Sequence, residues 1–127
     1  MMRLLLDTHA LLWALFTPVL LSTSMRHSVL DSANDIQVSI ASLWEVAIKQ
    51  SIGKLTLERP LQMEVVDSGF TFLDITPEHC AAYADLPLDK QHRDPFDRML
   101  AVQARLEGCR LVSKDAKLDR YGVMRIW

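Results

Sequence analysis

Four carboxylates in this chain stand where they can do more than face water. Asp7 follows an apolar run in "RLLLDTHALLW", Glu45 lies in "SLWEVA", Asp97 in "DPFDRML" and Asp115 in "LVSKD". Taken singly, each has a local explanation: a solvated strand end for Asp7, a capping box with Ser42 for Glu45, capping behind Asp94 for Asp97, a turn for Asp115. Gathered in one place they become a different object, because carboxylates a few ångströms apart raise one another's pKa and cannot all stay ionised unpaired. A hard divalent cation resolves that conflict. Mg²⁺ and Mn²⁺ prefer carboxylate oxygen and water to imidazole or thiolate, and such an ion can activate water and stabilise the charge that develops in phosphodiester cleavage. A zinc set is not available: His9, His27, His79 and His92 have no paired spacing, and Cys80 and Cys109 form no Cys-x-x-Cys motif.

The elements that would carry these acids are legible. Residues 4–6 form a short continuous apolar run, the mark of a strand buried on both faces. Thr8 can cap a helix through Leu11, Leu12, Leu15 and Phe16. A more polar helix is expected around residues 22–34, a strand ending near Ser39, and a helix from Ala41 to about Gln50 that Gly53 terminates. A further helix is expected over residues 60–66, a strand over 70–75, and a helix opened by Pro77. The clearest helix is "DPFDRMLAVQARLEG", with Asp94 as cap, Pro95 at the first position and Gly108 as the stop. "RLVS" and "GVMRIW" close the chain as short strands. Strands alternating with helices predict an α/β fold with a mainly parallel sheet. Sites in such sheets form outside the carboxyl ends of the strands. Asp7 and Asp115 follow strands, and Glu45 and Asp97 are expected in the first turns of helices opening toward that same edge.

Composition narrows the class. The chain has 127 residues, half of them hydrophobic, so one domain over residues 1–127 with a proper core is expected. A net charge of −2 excludes a generally basic nucleic-acid coat, though not a local basic groove. Two cysteines make no disulfide framework; both are read as reduced core thiols of a cytoplasmic protein. The apolar stretch over residues 10–21 is too short for a membrane span and is broken by Pro18. Asp7 and His9 fall where a signal peptide would be forming its apolar region.

"LLLDTHALLWAL", "VSIASLWEVAIK", "DPFDRMLAVQA" and "LVSKD", in that order along nearly the whole chain, resemble the signatures of the PIN-domain ribonucleases, specifically the VapC-like toxins of bacterial toxin–antitoxin pairs. The resemblance implies a PIN-like three-layer α/β/α fold. It also implies that Asp7, Glu45, Asp97 and Asp115 hold Mg²⁺ or Mn²⁺ for hydrolysis of single-stranded or looped RNA. The family often carries a hydroxyl residue two places before the last acid, here Ser113, and one after the first acid, here Thr8. Ser113 can orient water or make a strand-end bond to backbone; Thr8 suits a helix cap. Asp94 competes with Asp97 and is the second-choice ligand. A homodimer and a cognate antitoxin across the groove are implied partners. The stretch over residues 16–31 departs from the pattern, lacking a polar loop around Pro18.

RNA requires counter-charge. Arg98, beside Asp97, is the first choice for a phosphate contact, followed by Lys114, Lys49 and Arg93, with Lys54, Lys90 and Lys117 as a possible rim. Trp13 and Trp44 read as core or interface aromatics, and Met63, Met99 and Met124 as packing residues. A dehalogenase-like phosphatase would need a second Asp where His9 stands, a receiver domain an acidic pair at the first strand end, and a dinucleotide binder a Gly-rich turn absent from "DTHALL". The competing function is a non-catalytic RNA-binding or protein-interaction module on a nuclease-like fold.

Overall fold

The computed structural model describes residues 1–91 and 94–127. Strand β1 (Arg3–Leu6) leads into α1 (Thr8–Phe16), a 3-10 turn (Pro18–Leu20) and α2 (Thr23–Leu30). Then come β2 (Asp35–Ser39), α3 (Ile40–Ser51), α4 (Leu61–Asp67), β3 (Thr71–Leu73) and α5 (Pro77–Ala84). The last elements are α6 (Pro95–Glu107), β4 (Arg110–Val112), a 3-10 segment (Ala116–Tyr121) and β5 (Arg125–Ile126). The "FTFLDI" strand is shorter than expected, and the 3-10 turn at Pro18 fills the place of the polar loop.

All strand pairings are parallel, in the order β3-β2-β1-β4-β5. The alternating side chains of a strand point to opposite faces, and the two faces meet different helices. Leu4, Leu6, Ile36, Val38 and Val112 pack with Ala10 and Leu11 of α1, Met25 and Val29 of α2, Val46 of α3 and Leu61 and Val65 of α4. Leu5 and Leu111 face the other way, onto Leu100, Ala101 and Ala104 of α6 and Leu118 and Tyr121 of the 3-10 segment. This is the three-layer α/β/α arrangement. Each fully buried leucine contributes about 2 kcal/mol.

The α6 face also carries buried polar groups. Ser39 Oγ donates to Gln103 Oε1 at 2.6 Å, and Gln103 Nε2 donates to the Asp74 carbonyl at 3.3 Å. Fully buried His79 accepts the Thr76 N–H at Nδ1 (3.0 Å), which leaves Nε2 to donate to Glu107 at 2.9 Å. The helix α6 ends at Gly108, whose φ of 67° is the left-handed conformation that glycine adopts without strain. Cys109 is buried, but Cys80 is exposed, so only one of the two thiols is a core residue. Met63 and Met124 also lie at the surface rather than in the packing. Among the described residues, no helix is long and apolar enough to cross a membrane.

Candidate functional site

The strand order reverses between β1 and β4, and at such a point a crevice opens beyond the carboxyl ends of the two strands. Asp7 follows β1 and still donates its N–H to the Val112 carbonyl of β4 at 3.0 Å. Ser113 follows β4. It is fully buried, hydrogen-bonds the Asp7 carboxylate, and accepts the Asp115 N–H at 3.1 Å. Arg125 on β5 donates to the Ser113 carbonyl at 3.0 Å and pairs with Asp119, so the turn carrying Asp115 is braced on both sides.

Asp7 is 6% exposed, and its Oδ1 accepts the Ala10 N–H at 2.8 Å. It is therefore the N-cap of α1, a role expected of Thr8. The Thr8 hydroxyl instead donates to Glu45 Oε1 at 2.6 Å and lies 3.1 Å from Ser42 Oγ. The reason is the start of the helix one residue earlier, which puts Thr8 inside α1 facing α3. The α3 start also differs: Ser39, not Ser42, is its cap, accepting the Ala41 N–H at 3.0 Å. Glu45 thus stands in the second turn of α3 and forms no capping box. Its other oxygen lies 3.5 Å from Lys49 Nζ.

Asp94 caps α6 through the N–H groups of Phe96 (2.8 Å) and Asp97 (3.2 Å). Asp97 is in the first turn, as expected. Asp115 caps the 3-10 segment, accepting the Lys117 N–H at 3.0 Å. Electrostatics joins these separate segments. Burial first, then the charges of Asp94, Asp7, Glu45 and Asp115, push the Asp97 carboxyl up to about 7. Burial also raises Asp7, opposed by the Ser113 and Ala10 hydrogen bonds. Three of the acids singled out in the sequence, with Asp94, act on the fourth, Asp97.

The basic residues are placed unequally. Lys49 pairs with Glu45, and Lys114 is exposed next to Asp115. Arg98 is only 7% exposed; its Nη1 donates to the Pro87 carbonyl at 3.1 Å and Tyr121 Oη at 3.3 Å. Arg93 lies outside the described residues, as does His92. Trp44 is not a core residue: it is 62% exposed and sits edge-on to Phe96 at 5.3 Å. The two rings wall an apolar groove of about 240 Å³ between α3, α5 and α6, with Tyr83 and Met99. Nothing in the local sequence distinguishes that exposed tryptophan from a buried one at the same helical spacing.

The donors fit a hard cation in kind: clustered carboxylates with excess negative charge. Their geometry is not closed. Among the described residues, no three His, Cys, Asp or Glu side chains are placed so that they could share one ion. Asp7, Asp94 and Asp115 each turn one oxygen onto a local backbone N–H group, while Glu45 turns both onto Thr8 and Lys49.

A family model for the PIN domain matches residues 4–124, and the chain belongs to that family. Among solved structures it is similar to VapBC2 from Rickettsia felis bound to a DNA fragment from its promoter. The TM-score is 0.67, with 16% identity over 98% of each chain. It is also similar to FitAB bound to the IR36 DNA fragment, with a TM-score of 0.59 and 16% identity over 97% of this chain and 93% of that one. At that identity the likeness is one of fold. No curated protein matches the chain by sequence.

Proposed function

We propose that this chain is a Mg²⁺- or Mn²⁺-dependent endoribonuclease and the toxin of a toxin–antitoxin pair. The observation that carries the reading is the charge convergence on Asp97, at the edge where a parallel α/β sheet puts its chemistry. PIN-family membership and the fold shared with VapBC2 and FitAB support it.

Asp7, Glu45, Asp97 and Asp115 would hold the metal, with Asp94 as the second-choice ligand in place of Asp97. When bound, the metal supplies water activation and neutralises charge on the phosphodiester. The chain's own groups prepare that site. Ser113 orients Asp7 and fixes the Asp115 backbone. Thr8 orients Glu45 across the gap between α1 and α3. Asp94 fixes the first turn of α6 and thereby the direction of Asp97. Lys114 and Lys49 supply positive charge for RNA phosphates at the rim. The partners of this reading are RNA, a cognate antitoxin and a second copy of the chain, in a cytoplasmic setting.

The test is purified protein with single-stranded RNA in Mg²⁺, Mn²⁺ or EDTA, with Asp7→Asn and Asp97→Asn alongside. Metal-dependent cleavage by the wild type, lost in both variants, supports the reading. RNA binding with no cleavage under any condition would instead identify a non-catalytic module. Growth arrest on expression, relieved by the product of a small neighbouring gene, would support the toxin assignment.

A further inference from the structure

We infer that Arg98 is a positioning residue for the acid cluster, caged so that it holds the first turn of α6 against the segment that follows Asp115. The cage has two walls and a floor. The guanidinium carbon lies 5.4 Å from the Tyr83 ring centroid and 5.6 Å from that of Tyr121. Nη1 donates to the Pro87 carbonyl at 3.1 Å and to Tyr121 Oη at 3.3 Å.

These partners come from three segments. Tyr83 is in the last turn of α5, Pro87 in the α5–α6 connection, and Tyr121 at the end of the 3-10 segment capped by Asp115. Arg98 itself follows Asp97 and donates its backbone N–H to the Asp94 carbonyl at 3.1 Å. One side chain therefore joins the turn that carries Asp94 and Asp97 to the segment that carries Asp115. Burying a guanidinium is costly unless its donors and charge are met, and here carbonyl, hydroxyl and ring faces meet them. An arginine spent in this way is not available to an RNA phosphate. Its planar fork and flat face are what the cage uses, so lysine keeps the charge but loses the fit.

The inference rests on reading the acids as a metal centre, and its test separates the two. Mn²⁺ is titrated calorimetrically into wild type, Arg98→Lys, Arg98→Met, Tyr83→Leu and Asp97→Asn, each checked for folding by circular dichroism. Amide hydrogen exchange is followed over residues 94–98 and 113–118. Polyuridine binding is measured against salt. The expected result is Mn²⁺ affinity about tenfold weaker in both Arg98 variants, as for other residues that orient metal ligands, with faster exchange in both segments. The salt slope of Arg98→Met should match wild type. Folded Arg98 variants with wild-type Mn²⁺ affinity and exchange would overturn the inference. So would a salt slope smaller by about one in Arg98→Met, since that marks a lost phosphate contact. If wild type binds no Mn²⁺, the metal reading fails and exchange alone decides: faster in both segments supports the clamp, unchanged overturns it. If the Arg98 variants do not fold, Tyr83→Leu, which removes one wall, decides by the same readouts.

Discussion

The two faces of the sheet are built differently. The face covered by α1 to α4 is held mainly by apolar contact: Leu4, Leu6, Ala10, Leu11, Val46 and Val65 are each fully buried, with the Thr8–Ser42–Glu45 contact joining α1 to α3. The α6 face has a smaller apolar cluster, and beside it stand buried Gln103, His79, Ser39 and Arg98. Apolar packing is non-directional, so the first face supplies stability and tolerates small shifts. Hydrogen bonds and caged charge are directional, so the second face sets where α5, α6 and the Asp115 segment stand relative to one another. The acids lie at the carboxyl edge where both faces meet. Stability and chemistry are therefore expected to separate under mutation.

The largest separation is expected from Asp97→Asn. Cleavage should fall about a thousandfold, equivalent to about 4 kcal/mol, while the fold persists. A thermal melt alongside a cleavage assay checks both. On the mainly apolar face, Leu11→Ala should do the reverse. It should cost about 3 kcal/mol in denaturant unfolding and leave the activity per folded molecule unchanged. Gln103→Leu on the α6 face should fall between these. It removes the acceptor of the Ser39 hydroxyl and a donor to the Asp74 carbonyl, so about 2 kcal/mol of stability should go, and activity should fall with it. If Gln103→Leu affected stability alone, the distinction between the faces would fail. The smallest effect belongs to Gly108→Ala, about 1 kcal/mol from placing a Cβ at φ 67°, with no change in activity.

Charge also divides the molecule by pH. A carboxyl held near 7 in the folded chain and near 3.8 when exposed takes up more protons folded than unfolded between those values. The metal-free protein should therefore lose stability as pH rises from about 4 to about 7. Asp97→Asn should flatten that decline in the melting temperature. The same variant that removes activity thus stabilises the empty site at neutral pH.

Much of this is legible in the sequence. The run at residues 4–6, the Asp94–Pro95 start and the Gly108 stop are local signals, and they locate β1 and α6. Their alternation with helices gives the parallel sheet, and the sheet gives the edge at which Asp7 and Asp115 stand. What is not legible depends on contacts between distant segments. Thr8 reads as a cap because its hydroxyl chemistry suits one; its true partner, Glu45, is 37 residues away. Arg98 reads as a phosphate contact because it adjoins Asp97. A helix turns about 100° per residue, however, and that turn carries Arg98 into the cage of Tyr83 and Tyr121. The exposure of Trp44 and Cys80 is equally invisible, since both types are commonly buried.

The most direct measurement of the central claim is a carbon-13 NMR titration of the Asp97 carboxyl, with and without Mg²⁺. Metal-free protein should titrate Asp97 near pH 7, because burial and then the charges of Asp94, Asp7, Glu45 and Asp115 disfavour its ionised form, and saturating Mg²⁺ should lower that value by two units or more. An Asp97 that titrates near 4 and ignores Mg²⁺ would mean that the acids neither converge nor take a cation together.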